Sequence, residues 1–199
     1  MSKPITLREL ANRGATPAPL SEAALIIVDA QNTYREGALA LAGIDAALER
    51  CAELLDCARR AGVPVLHIQH DSGEGSAFDI RARIGAVADR VAPRDGEAVI
   101  VKHYPNSFVG TDLEARLAAL GRKRLVIAGF MTHMCINSTA RAAFNLGYEV
   151  TVPGDATATR ALPGMHGDVI DAAAMQTAAL AALGDLFAVI VPRVADIPA

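Results

Sequence analysis

Three polar side chains stand where an open parallel sheet would put a chemical site. Asp29 closes the apolar run Leu25-Ile26-Ile27-Val28, and Lys102 closes Ala98-Val99-Ile100-Val101. Cys135 follows the run Arg124 to Gly129, at the start of a helical stretch. In such sheets ligands bind beyond the C-terminal ends of the strands, where the strand order reverses. Taken singly, each residue has an ordinary job: an Asp caps a turn, a Lys is solvated, a Cys packs. Together they are the parts of an activated nucleophile, with an acid to take a proton, a cation to hold negative charge and a thiol to attack. A thiol near a helix N-terminus and a Lys should have its thiolate favoured, so a lowered pKa is expected for Cys135.

The elements that must position these residues alternate regularly. Six short apolar runs read as strands: 25–29, 63–69, 98–102, 124–129, 148–153 and 186–191. They are nearly continuous rather than alternating, as in strands covered on both faces. Helical periodicity fills 44–61, 111–120, 134–146 and 169–183, with Gly62, Gly121, Gly147 and Gly184 as stops. This grammar predicts a three-layer α/β/α fold; if the mainly parallel six-stranded sheet is doubly wound in the common way, its expected order is 3-2-1-4-5-6. The 199 residues read as one domain, with 1–22 as an N-terminal arm carrying a short helix at 7–12. The long connection 71–96 reads as a lid or pocket wall with a helical turn near 80–88.

Four motifs, in order and spacing, resemble the isochorismatase-like hydrolases, whose cysteine members include nicotinamidases, N-carbamoylsarcosine amidohydrolases and ureidoacrylate amidohydrolases. They are Val28-Asp29-Ala30-Gln31-Asn32; Lys102 through Phe108 with Thr111 and Leu113; Gly129-Phe130-Met131-Thr132-His133-Met134-Cys135; and Thr139-Ala140, Ala143, Gly147-Tyr148 with Asp155-Ala156. The resemblance implies a catalytic triad of Asp29, Lys102 and Cys135. It also implies a cis peptide between Phe130 and Met131 and hydrolysis of a small amide, carbamoyl or ureido compound through a thioester. Backbone N–H groups of Met131 and Cys135 would form the oxyanion hole, with Thr132 as helix N-cap. Gln31, Tyr34, Phe108, His133 and Met134, all beside triad motifs, are candidate substrate contacts. Gln176 stands where many members have His.

Other classes are disfavoured. Net charge is −3 with scattered Lys and Arg, so neither nucleic acid nor a membrane surface is expected as a partner. The first residues lack an apolar signal core and the three cysteines suit a reducing compartment, so a cytoplasmic location is expected. Cys51 and Cys57 read as packed hydrophobes. There is no Asp-x-His pair, G-x-G-x-x-G or P-loop, so neither metal nor cofactor is expected. His67 and His70, three apart on a strand, point to opposite faces; His70 could line the pocket and His67 the core. Mean hydropathy of +0.27 and Ala/Leu-rich helices suggest a homo-oligomer. Three rival readings compete with the amidase: a vinyl ether hydrolase that does not need Cys135, a peroxidatic thiol, and a non-catalytic interaction protein.

Overall fold

The computed structural model describes residues 4–199; the first three residues of the expected arm lie outside it. The strands are β1 (Ala23–Val28), β2 (Val65–His70), β3 (Ala98–Lys102), β4 (Arg124–Phe130), β5 (Glu149–Pro153), β6 (Thr157–Ala158), β7 (Leu162–Pro163), β8 (Val169–Ile170) and β9 (Val189–Val191). The helices are α1 (Leu7–Leu10), α2 (Ile44–Arg60), α3 (Leu113–Leu120), α4 (Asn137–Asn145) and α5 (Ala172–Gly184). The main sheet is parallel throughout, in the order β3-β2-β1-β4-β5-β9, with β6 paired to the end of β4. This is the expected order, with β9 as the sixth long strand. The three two-residue strands β6, β7 and β8 were not anticipated, because they are too short to show a period.

Burial explains the continuous apolar runs. All six residues of β1 are buried, since both its faces are covered. Leu25 and Ile27 face a core shared with α2; Ala24, Ile26 and Val28 face a second core shared with α3 and α4. Helix α2 buries Ile44, Ala47, Leu48, Cys51, Leu54, Leu55 and Ala58, a stripe at helical spacing. Among the described residues no helix is long and apolar enough to cross a membrane.

Several boundaries differ from expectation. The helix in the last third begins at Ala172, where Asp171 caps it by accepting the Ala174 N–H at 2.7 Å; Val169 and Ile170 are drawn instead into an antiparallel pair with β7. Gly184 is the last residue of α5 rather than a left-handed stop; its lack of a side chain admits Ile190, which a Cβ would approach to 3.2 Å. The connection 71–96 holds two 3-10 turns, Arg83–Gly85 and Asp89–Val91, in place of one helical turn. The cause is tethering: Ala88 N–H donates to Ala30 O, and Asn32 N–H to Ala86 O. The segment is thus a wall strapped to the end of β1. The described part of the arm is also tied down, with Arg8 N–H on Asp185 O and Leu20 N–H on Pro198 O.

Candidate active site

The three strand-end residues converge. Lys102 Nζ lies 2.6 Å from Asp29 Oδ2 and 3.4 Å from Cys135 Sγ. Asp29 and Lys102 are fully buried and Cys135 is nearly so. Asp29 follows β1 with φ +49°, a left-handed conformation seldom adopted by a non-glycine residue. Beside it, Gly129 has φ +116°, and a Cβ there would lie 2.0 Å from the Val28 carbonyl oxygen. Only glycine allows β4 to run this close to the end of β1. The Phe130–Met131 peptide that follows is cis.

Cys135 sits in a wide π turn, Thr132–Ile136, that leads into α4. Single π turns often mark functional sites, because the extra residue shifts side chains off the helical register. The expected N-cap role of Thr132 is not observed. Met131 occupies that position, and the Thr132 hydroxyl is buried without a hydrogen-bond partner.

Burial dominates the electrostatics. It raises the Asp29 carboxyl above its ordinary range, against the pull of Lys102 and the Cys135 thiol. It also pushes the Cys135 thiol up to about 12, helped by the charge of Asp29 and opposed by Lys102. This corrects the expectation of a favoured thiolate. Helix position and a nearby Lys suggested a lowered value, but the sulfur is desolvated and shares its one cation with a carboxylate. Both shifts favour the proton-bearing forms, so the environment opposes a free thiolate at rest.

His70 enters this cluster. As the last residue of β2 it pairs in register with Lys102, and its Nδ1 is 3.0 Å from Nζ. Burial and Lys102 lower its pKa to about 4, so it is neutral at ordinary pH. His67, on the other face, is buried with Nε2 2.9 Å from Glu97 Oε2.

The candidate substrate contacts divide. The Gln31 side chain is spent on the scaffold: Nε2 donates to His70 O and Gly85 O, and Oε1 accepts the His70 N–H. Tyr34 is buried edge-on to Phe78 and Phe130, and the charges of Asp29 and Cys135, after burial, raise its hydroxyl pKa. Phe108 stacks on Tyr148 and packs into the α3/α4 core. His133 bonds Thr159 Oγ1 at 2.5 Å, and Met134 stands exposed on the π turn.

Arg160 was not singled out in the sequence. It lies two residues past β6, and after burial its charge is what depresses the His133 pKa. Among the described residues it shows no ion pair or hydrogen bond, and its Nε is buried. Its only sequence signal is its closeness to the Asp155-Ala156 motif. Also among the described residues, no three His, Cys, Asp or Glu side chains gather as a metal site would require.

The protein is thus a doubly wound α/β fold with an Asp, a Lys and a Cys joined at its strand ends. Residues 23–191 match the family model for the isochorismatase domain. A secreted isochorismatase effector of Verticillium dahliae is 35% identical over 181 residues, 89% of this chain and 93% of its own. A ureidoacrylate amidohydrolase of Stutzerimonas stutzeri is 33% identical, over 72% of this chain and 74% of its own. The crystal structure of an isochorismatase from Pseudomonas putida KT2440 superposes with a TM-score of 0.92 at 40% identity, covering 96% of this chain and 97% of that one. The chain belongs to the isochorismatase family of hydrolases.

Proposed function

We propose that this protein cleaves a C–N bond of a small amide, carbamoyl or ureido compound through a thioester on Cys135. The observation that carries the reading is the buried contact of Lys102 with both Asp29 and Cys135. Asp29 takes the thiol proton as sulfur bonds to the substrate carbonyl carbon. The resulting oxyanion is held by the backbone N–H groups of Met131 and Cys135. As the C–N bond breaks, the proton on Asp29 passes to the leaving nitrogen. Water then attacks the thioester and gives a proton to Asp29. When the carbon–sulfur bond breaks, the acid product leaves and that proton returns to sulfur. Lys102 keeps its charge throughout and offsets the negative charge that moves between carboxylate and sulfur.

Two features support the substrate class. The ureidoacrylate amidohydrolase relative is named for such a compound. Arg160, a cation without a partner among the described residues, suits a substrate that also carries a carboxylate. We take the reaction to need neither metal nor cofactor, and the site of action to be cytoplasmic. We also read the whole chain as one domain that forms homo-oligomers. Val99 and Val101 on edge strand β3, and Met165, Val169 and Ile170 at β7–β8, leave apolar surface uncovered. Light scattering at micromolar concentration should exceed the mass of one chain, and a monomer would overturn that part.

The test of function is a panel of small amides and ureides, each with and without a carboxylate, alongside a vinyl ether. Wild-type enzyme, dialysed against chelator, should hydrolyse a carboxylate-bearing member. Rapid quenching and mass spectrometry should find the acyl group on Cys135. Cys135→Ser should lose activity by about a thousandfold or more. A variant that keeps full activity on the vinyl ether would favour the rival reaction.

A further inference from the structure

We propose that His70 is a positioning residue for Lys102, holding its ammonium between carboxylate and sulfur. The inference rests on the catalytic reading above only for its kinetic consequence. The need arises from topology. Asp29 follows β1 and Lys102 ends β3, with β2 between them, so their backbones stand about 10 Å apart. The Lys102 stem must cross the end of β2, and His70 is the residue at that end, paired with Lys102 in register.

An ammonium has three N–H donors and no acceptor. Lys102 is fully buried, so each donor needs a partner within the protein. Three acceptors surround Nζ: Asp29 Oδ2 at 2.6 Å, His70 Nδ1 at 3.0 Å and Cys135 Sγ at 3.4 Å. Donors and acceptors match one for one. Nδ1 accepts only if it is bare, which puts the ring proton on Nε2, 3.0 Å from Ser72 Oγ. The ring is further held by Phe78, edge-on at 4.9 Å, and its backbone is clamped at N–H and C=O by Gln31.

The surroundings keep the imidazole neutral. Lys102 and His103 on the β3 side oppose a second positive charge, Asp71 alone favours one, and Gln31, Ser72 and Phe78 are uncharged. Remove the imidazole and two acceptors remain for three donors. The ammonium then settles on the closer, charged Asp29 and withdraws from sulfur. That strengthens the resting ion pair and weakens stabilisation of the charge that develops on sulfur during attack.

Two measurements test this. The first needs no substrate: NMR of ring-labelled histidine in the wild-type protein. His70 should show a bare Nδ1 and a proton on Nε2 throughout the neutral range. A proton on Nδ1 would overturn the proposal, whatever the enzyme hydrolyses. The second compares His70→Leu with His70→Asn, whose side-chain oxygen lies near the position of Nδ1. On the amide found by the panel, His70→Leu should lower kcat by about ten- to a hundredfold with KM little changed, and His70→Asn should recover most of the loss. Unfolding midpoints of both variants are read in parallel. Equal losses in the two variants, a loss confined to KM, or no loss in either would reject the positioning role. If no amide is turned over but the tautomer is as described, the catalytic reading fails and the Lys102–His70 assignment stands.

Discussion

Cys135 is the proposed nucleophile, and its surroundings favour the protonated thiol. Its surroundings raise the thiol pKa to about 12 for two reasons, burial and the negative charge of Asp29. In the proposed reaction Asp29 is thus both the base that takes the thiol proton and the charge that favours the neutral thiol at rest. Replacing it with Asn removes that charge and leaves Lys102 facing the sulfur alone. Asp29→Asn should thus lower the thiol pKa, seen as thiolate absorbance appearing at lower pH than in the wild type, while amide hydrolysis is lost. A thiol pKa that is unchanged or raised in this variant would contradict the electrostatic account. Iodoacetamide should label Cys135 of the wild type slowly, as befits a buried, neutral thiol.

The junction of β1 with β4 is the element on which the site depends most. Val28 pairs with Gly129 in register, and Asp29 and the π turn that carries Cys135 leave from the two strands side by side. A methyl group at 129 would meet the Val28 carbonyl oxygen at 2.0 Å, in a conformation that an L side chain rarely adopts. Gly129→Ala should therefore destabilise the fold by about 2–4 kcal/mol and abolish activity in whatever fraction folds. Denaturant unfolding and a rate per folded molecule check this. Near-wild-type stability would mean that the strands part more easily than their packing suggests. The connection 71–96 is strapped in a comparable way. Gly85 O accepts from Gln31 and Gln69, and a Cβ on Gly85 would meet Asp79 O at 2.3 Å.

For the molecule as a whole, stability in acid should follow a half-buried network centred on Glu97. Glu97 on the approach to β3 accepts two bonds from Arg59 of α2 and one from the Arg94 N–H, and it lies 2.9 Å from His67 Nε2 of β2. These partners, Arg59 first, hold its pKa at about 2, while burial lowers that of His67. For Glu97 the folded value lies below the unfolded one, so its contribution is complete above the unfolded pKa and fades as pH falls towards 2. A lowered His67 acts in the same direction, because the unfolded chain takes up its proton first as the pH falls. Both groups thus weaken the fold as pH falls from neutrality towards 2. Glu97→Gln should cost about 2 kcal/mol at neutral pH and flatten the acid limb of a stability–pH curve. A parallel, merely shifted curve would show that other groups set acid stability.

The layered fold, the two-faced burial of β1 and the placing of Asp29, Lys102 and Cys135 at strand ends were legible in the residue pattern, whereas their meeting was implied by the family resemblance. Continuous apolar runs separated by helical periods admit few packings, and strand ends are where such packings collect polar groups. Three things were settled only by tertiary structure. The proton stays on Cys135 because desolvation depends on what surrounds the sulfur, which local cues such as a helix start and a Lys do not report. Gln31 serves the scaffold rather than an open pocket because its partners, His70 and Gly85, lie far along the chain. His70 joins the cluster because parallel pairing sets it beside Lys102, 32 residues away. Sequence periodicity records which face a residue occupies. It does not record which distant residue meets it there, and in this site those meetings decide where the protons and charges rest.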